Sequence, residues 1–321
     1  MLINKSCNFD VLNPMSCHQQ IMDAIVNNVP YSFIRLGDGE GALLDFSNAS
    51  TISDIDYLCT HFGPTISIDN IFLISNKLRQ SIVNADLVGV RDDIVSVNFD
   101  HQSTNKKEFL SEFKRNFHLR EIEQSLPLCD ATRIAMLHKT LERIKFNNST
   151  SFCSSWMQYD LYKMGGVVDL LSHASKMAII TSNVKAAGAL TKSFGIDVKS
   201  HLIDDMYECQ SNTDYHLYPN TYNKIINELD ADLSGVVYIV AAGFLGKCLC
   251  FEIKQRGGIA LDLGALVDCW VGRYSRPKVL KSYFKINKSW FKKKDRVPEE
   301  LLMTPENKNR LQDLWKECSR V

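Results

Sequence analysis

Between residues 177 and 263, apolar runs of strand length alternate with stretches of helix length. This alternation restricts the fold more than any other feature of the chain. Met177-Ala-Ile-Ile-Thr-Ser182, Gly195 to Ile203, Val236 to Ala241 and Ile259 to Leu263 read as strands. Asn183 to Leu190, Thr221 to Leu229 and Leu245 to Arg256 read as the helices between or beside them. Strands joined by helical crossovers pair in parallel, and a parallel sheet needs helices on both faces. The expectation is therefore an α/β fold with a mostly parallel sheet covered on both sides. Its ligand crevice is expected at the strands' C-terminal ends.

The N-terminal half fits the same plan less tightly. Ser16 is a candidate cap for a helix from Cys17 to Asn28, with Ile21, Ala24 and Ile25 on its apolar face. Pro30 stops that helix and a strand runs to Leu36. Gly41 to Phe46 reads as a short helix, residues 47 to 70 are turn-rich, and Asn76 to Ala85 reads as a helix. Asp86 to Val90 is a short strand followed by Arg91-Asp92-Asp93. Thr104 to Phe146 is mostly helical in pattern, and Ser151 to Ser155 is a strand or a cap. Trp156, Tyr159 and Tyr162 then share one helical face, which packs in a core or stacks on a sugar or uracil.

The stretch Tyr31-Ser-Phe-Ile-Arg-Leu-Gly-Asp-Gly-Glu40 carries the most chemistry. A β-prone run ends in a glycine turn holding two carboxylates one residue apart, with Arg35 just before them. In an extended or tightly turned segment, residues two apart point to one side. Asp38 and Glu40 would then converge on a hard divalent cation. A plain solvent-facing turn is the alternative. Gly37-x-Gly39-x-x-Ala42 also matches the dinucleotide fingerprint. Carboxylates at both intervening positions would repel a pyrophosphate, however, unless a cation bridges them to it. A metal-bound nucleoside diphosphate suits those charges better than a bare dinucleotide.

Phe33-Ile-Arg-Leu-Gly-Asp-Gly-Glu40 resembles the opening signature of the GT-D-fold glycosyltransferases, a Rossmann-like group with a D-x-E metal motif. Val236 to Lys247 and Gly258 to Ala265 are similar to the closing strand-glycine-helix-strand unit of that group, and order and spacing agree over residues 20 to 272. The resemblance implies Asp38 and Glu40 holding Mn²⁺ or Mg²⁺, bridged to the diphosphate of a nucleotide-sugar, with a UDP-sugar as the expected donor. It implies a glycosyltransferase of hexosyltransferase type acting on a glycan, lipid-linked or protein-linked acceptor in bacterial surface polysaccharide or glycoprotein synthesis. Arg35 would contact the donor or lock the carboxylates.

Further site candidates come from strand ends. Asp92 and Asp93 are candidates for acceptor contact or for the catalytic base, Asp93 being the catalytic candidate, with a charged loop as the alternative. Gly243, Gly246 and Lys247 are candidates for the donor phosphate or ribose, because a helix N-terminus after a strand offers its N–H groups to phosphate. A P-loop reading fails, since Ala241 replaces the first glycine and Cys248 the metal-binding hydroxyl. Ser182, Asn183 and Asp262 are further nucleotide candidates, with Asp268 the weaker aspartate.

From Arg273 to Arg296 there are ten Lys or Arg and one acid, interleaved with Tyr274, Tyr283, Phe284, Trp290 and Phe291. That pattern suits peripheral contact with anionic lipid, a solvated linker or nucleic acid. The formal net charge is zero, so no global field favours nucleic acid, which is not an expected partner. The ten cysteines include no C-x-x-C pair and no zinc spacing. No run reaches the ~18 apolar residues of a membrane span, and no apolar signal core follows Met1, so the cytoplasm is the expected location. Two units are expected: a catalytic domain over residues 1–272, and a basic-aromatic segment with a C-terminal helix over 273–321 packing on it. Two rival classes remain, a Rossmann-type NAD(P)-dependent oxidoreductase and a non-catalytic nucleotide-binding module.

Overall fold

Eight of the short apolar runs become strands of one sheet. In a computed structural model the described residues are 11–46, 52–91, 128–204, 216–273, 275 and 297–320. The strands are β1 (Val11–Leu12), β2 (Tyr31–Arg35), β3 (Leu87–Val90), β4 (Ser151–Ser154), β5 (Lys176–Thr181), β6 (Val198–Leu202), β7 (Val236–Ala241) and β8 (Ile259–Asp262). They lie in the order β1-β4-β3-β2-β8-β7-β5-β6, and every pairing among the described residues is parallel. The expected parallel α/β architecture is what forms.

Successive side chains of each strand leave opposite faces, so each buried strand feeds two cores. Phe33, Leu87, Ile179, Ile239 and Leu261 enter one core, while Ile34, Val88, Ile180, Val240 and Ala260 enter the other. The first core is closed by α1 (Pro14–Asn27), α6 (Met157–Lys163), α7 (Gly166–Ser172), α8 (Ala186–Phe194), α11 (Leu266–Trp270) and α12 (Pro305–Cys318). The second is closed by α2 (Asp38–Leu44), α3 (Ile52–Phe62), α4 (Ile68–Asn84), α5 (Leu128–Leu141), α9 (Tyr222–Glu228) and α10 (Gly243–Gln255).

This division places the crevice. From β2 the chain turns into α2 on the second face, whereas from its neighbour β8 it turns into α11 on the first. Adjacent strands whose connections part to opposite faces leave a gap beyond their C-terminal ends. Arg35 and Asp262, the last residues of β2 and β8, stand at that gap.

Several local expectations are corrected, among them the turn-rich reading of 47–70, where α3 forms and α4 already begins at Ile68 rather than Asn76. Helix α1 is capped by Asn13, whose side chain accepts the Ser16 N–H, and Pro14 takes the first helical position. Ser16 is therefore inside the helix, because Pro14 suits a first turn and pulls the start forward. Helix α2 begins at Asp38 rather than Gly41, so both carboxylates lie in a helical first turn. Residues two apart on a helix do not face each other, which removes the geometric basis for their convergence. Helix α8 starts at Ala186, because the Asn183 side chain accepts the Lys185 N–H and holds a turn.

The C-terminal helix α12 docks on the first face. Leu311 and Trp315 are buried against α7 and α1, and the Trp315 ring lies 4.0 Å from that of His18, centroid to centroid. His18 Nε2 meets Asp169 Oδ2 at 2.8 Å. Among the described residues, no helix is long and apolar enough to cross a membrane. Asp92, Asp93 and all of the basic-aromatic stretch 273–296 except Arg273 and Ser275 lie outside the described residues.

Candidate functional site

Arg35 leaves β2 pointing along the sheet edge and is fully engaged there. Its Nε donates to the Asp262 carbonyl at 2.7 Å and its Nη2 to Asp262 Oδ1 at 2.9 Å. With the Gln158 amide oxygen turned toward it, Nη1 donates at 2.6 Å, and the Gln158 nitrogen donates to the Ser155 carbonyl at 3.1 Å. The backbone makes room for the guanidinium. Gly264, at φ +50°, would put a Cβ 2.1 Å from Nη2.

Glu40 and Lys247 complete the cluster. Lys247 sits in the first turns of α10, and its Nζ lies 2.9 Å from Glu40 Oε1, 3.5 Å from Asp262 Oδ2 and 3.0 Å from the Gly243 carbonyl. The second Glu40 oxygen accepts the Gly37 N–H at 2.7 Å, the half of a capping box in which the third helical residue reaches back to the cap. Two cations and two carboxylates therefore share one buried place, with Glu40 and Lys247 each 7% exposed and Asp262 2%. For Asp262, Lys247 and Arg35 burial works against the charge, yet the partners win. Burial raises the Asp262 carboxyl, but Arg35 and Lys247 carry it below its ordinary value. Burial lowers Lys247, but Asp262 and Glu40 carry it above. Arg35 is raised in the same way, burial being outweighed chiefly by Asp262. Charges that satisfy one another this fully lock a site rather than wait for a ligand.

Asp38 differs from Glu40. It is partly exposed, and Tyr57 Oη donates to its Oδ2 at 3.5 Å. The two carboxylates of the turn thus have different surroundings. Asp38 fits as a single carboxylate ligand for a hard cation that also takes diphosphate oxygens, the arrangement Mg²⁺ favours. Glu40 does not fit as a direct ligand while Lys247 and the Gly37 N–H hold its two oxygens. Among the described residues no group of three or more His, Cys, Asp or Glu could enclose a metal.

The glycines divide as well. A Cβ on Gly39 would stand 2.5 Å from the Phe244 ring and 2.9 Å from Tyr57 Oη, so Gly39 is packed under those side chains. Gly246 packs against Val240. Gly243 is exposed with open space beside it, and Gly37 is half-buried. Ser182 and Asn183 follow β5 and are half-buried, with Arg273 Nη1 3.5 Å from Ser182 Oγ. Asp268 accepts the Arg273 N–H on its carbonyl. Arg35, Glu40, Lys247 and Asp262 are thus brought together, with the Gly243 carbonyl on Lys247, whereas Asp38, Ser182 and Asn183 remain outside the cluster. Gly39→Ala should cost about 1–3 kcal/mol by overpacking, read as a lower urea midpoint; an unchanged midpoint would show that Phe244 and Tyr57 can yield.

Sequence reading missed Gln158 and the Glu40–Lys247 pair. The reach of Glu40 back to its cap had a signal, since Gly37-x-x-Glu40 is capping-box spacing, but its pairing with Lys247 had none. Gln158 had none, being a polar residue inside an aromatic helix.

The chain matches the model of the GT-D-like family, a GT-D fold-like domain, over residues 12–270. No curated protein matches it. Two solved structures are similar to it. One is described as the selenomethionine-substituted structure of domain of unknown function 1792, with a TM-score of 0.44 and 14% identity over 82% of this chain and 80% of that chain. The other is described as showing that this highly conserved domain has a distinct glycosyltransferase fold, with a TM-score of 0.43 and 16% identity over the same shares, 82% and 80%. Likenesses this distant carry no argument about chemistry.

Proposed function

The chain belongs to the GT-D-like family, and on that premise we propose that it transfers a glycosyl group from a nucleoside-diphosphate sugar to a glycan or glycoconjugate acceptor. A UDP-sugar is the first donor to test, and a hexosyl group the first sugar. The observation that carries this reading is the partly exposed Asp38 at the crevice end of β2, set on a fully neutralised buried cluster. One partly exposed carboxylate at such a place, its partner among the described residues the Tyr57 hydroxyl at 3.5 Å, suits a Mn²⁺ or Mg²⁺ ion shared with a diphosphate. Bound there, the ion would supply Lewis-acid stabilisation of the charge that develops on the departing diphosphate.

The chain's own groups do the holding. Arg35 and Asp262 fix the ends of β2 and β8, so the edge on which Asp38 stands keeps its shape. Gly243 is exposed with open space beside it at the start of α10, where a helix N-terminus suits phosphate oxygens, and Ser182 and Asn183 offer polar contacts beyond β5. An oxidoreductase using Gly37-x-Gly39-x-x-Ala42 needs the dinucleotide to approach the second glycine, and the Phe244 ring covers Gly39. A basic-aromatic stretch such as 273–296 would suit an enzyme whose acceptor is lipid-linked.

Calorimetric titration of UDP and of NAD⁺, each with and without Mn²⁺, tests the proposal on the wild-type chain and on Asp38→Asn. UDP binding that needs Mn²⁺ and is lost in the variant is the expected result, followed by Mn²⁺-dependent hydrolysis of a UDP-sugar. NAD⁺ binding without metal, or UDP binding indifferent to Asp38, would overturn it.

A further inference from the structure

We infer that Glu40 is a positioning residue held by Lys247, and not a ligand of the cation that Asp38 would bind. The inference rests on the functional reading above only for what is positioned; the pair itself stands on geometry. Glu40 Oε1 is 2.9 Å from Lys247 Nζ and Oε2 is 2.7 Å from the Gly37 nitrogen, so both carboxylate oxygens are committed in directions fixed by two different elements. Lys247 is committed in turn to Asp262 and to the Gly243 carbonyl, and its side chain is 9% exposed. A cation taking Glu40 Oε1 would have to displace this ammonium and leave it short of an acceptor in a buried place.

What the pair does follows from where its ends are anchored. Glu40 is the third residue of α2 and grips the residue before that helix, so Asp38 lies inside the loop it closes. Lys247 ties the loop to the first turn of α10, the turn with the exposed Gly243. The carboxylate expected to meet the metal and the helix end expected to meet phosphate are therefore held in register by one ion pair. Two acidic residues of one short motif have separate roles: Asp38 outward to ligand, Glu40 inward to lysine.

The two views predict opposite signs for one substitution. If Glu40 were a ligand, Lys247→Met would free its carboxylate and strengthen Mn²⁺-dependent UDP binding, while Glu40→Gln would weaken it. If Glu40 positions Asp38 through Lys247, both variants weaken that binding alike, by about 10- to 100-fold, and the double variant is no weaker than either. Affinities are measured by calorimetry well below each variant's melting temperature, so that loss of fold and loss of position are separated. Full affinity in folded Glu40→Gln would overturn the positioning role, as would tighter binding in Lys247→Met. A metal-free urea double-mutant cycle on the same three variants tests the pair alone: non-additive stability losses support it and additive losses overturn it. Should wild-type protein bind UDP without regard to Mn²⁺, the functional reading fails and the cycle still decides the pair.

Discussion

Asp262→Asn should lower the unfolding free energy by about 3–5 kcal/mol, the cost of removing one partner from a buried charge cluster. The asparagine has almost the shape of the aspartate, so little packing changes. What changes is the charge. Arg35 and Lys247 would share Glu40 alone, and Arg35 would trade an ionic bond at 2.9 Å for a neutral one. Urea denaturation monitored by circular dichroism measures the loss. A change under about 1 kcal/mol, the range of exposed pairs, would mean that water screens the cluster.

The same substitution has a pH signature. The folded Asp262 carboxyl lies below its ordinary value of 3.8, since Arg35 and Lys247 outweigh the effect of burial. A group depressed in the folded state contributes stability above its unfolded pKa and loses it as pH falls through the folded one. The gap between wild type and Asp262→Asn should thus be constant from neutrality down to about pH 4 and close below it. Lys247 is raised in the folded state, so its contribution is present at neutral pH and is lost only as the pH climbs past its ordinary 10.5.

The fold was legible because its signal is local. Each strand is an apolar run and each crossover a helical stretch, and parallel pairing follows from that alternation. Where the reading slipped, a local choice between two structures was settled by distant packing. Helix α2 starts at Asp38 because Glu40 can reach back to Gly37, and Glu40 is held there by Lys247, more than two hundred residues along the chain. Reading the turn as extended made two carboxylates converge that the helix separates. Tyr159 and Tyr162, on the aromatic face of α6, are core residues, while Trp156 at the start of that face stays half-buried with Arg91 5.2 Å from its ring. Gln158 lies beside them as the partner of Arg35, which no periodicity encodes. Asp262 was legible as a strand-end acid, but its role in closing the β2–β8 edge depends on a guanidinium from the other half of the chain.

Trp315→Ala should cost about 3–5 kcal/mol, as truncating a buried tryptophan does, and should leave the candidate site unaltered. The ring fills a notch cut for it. A Cβ on Gly166 would stand 2.9 Å from Trp315 Cζ3, and Gly165, at φ +86°, takes the Leu311 carbonyl where a side chain would be. His18 supports the ring from α1 and is itself held by Asp169 of α7. The tail helix thus joins two helices of the first face, whereas Glu40, Lys247 and the first turn of α2 belong to the second. A cavity here weakens the scaffold on the side away from Asp38. Thermal melting should show a single transition at lower temperature, with unchanged Mn²⁺-dependent UDP affinity in the folded protein. Two separate transitions would mean that α12 opens on its own, and the chain would then behave as a domain with a detachable tail.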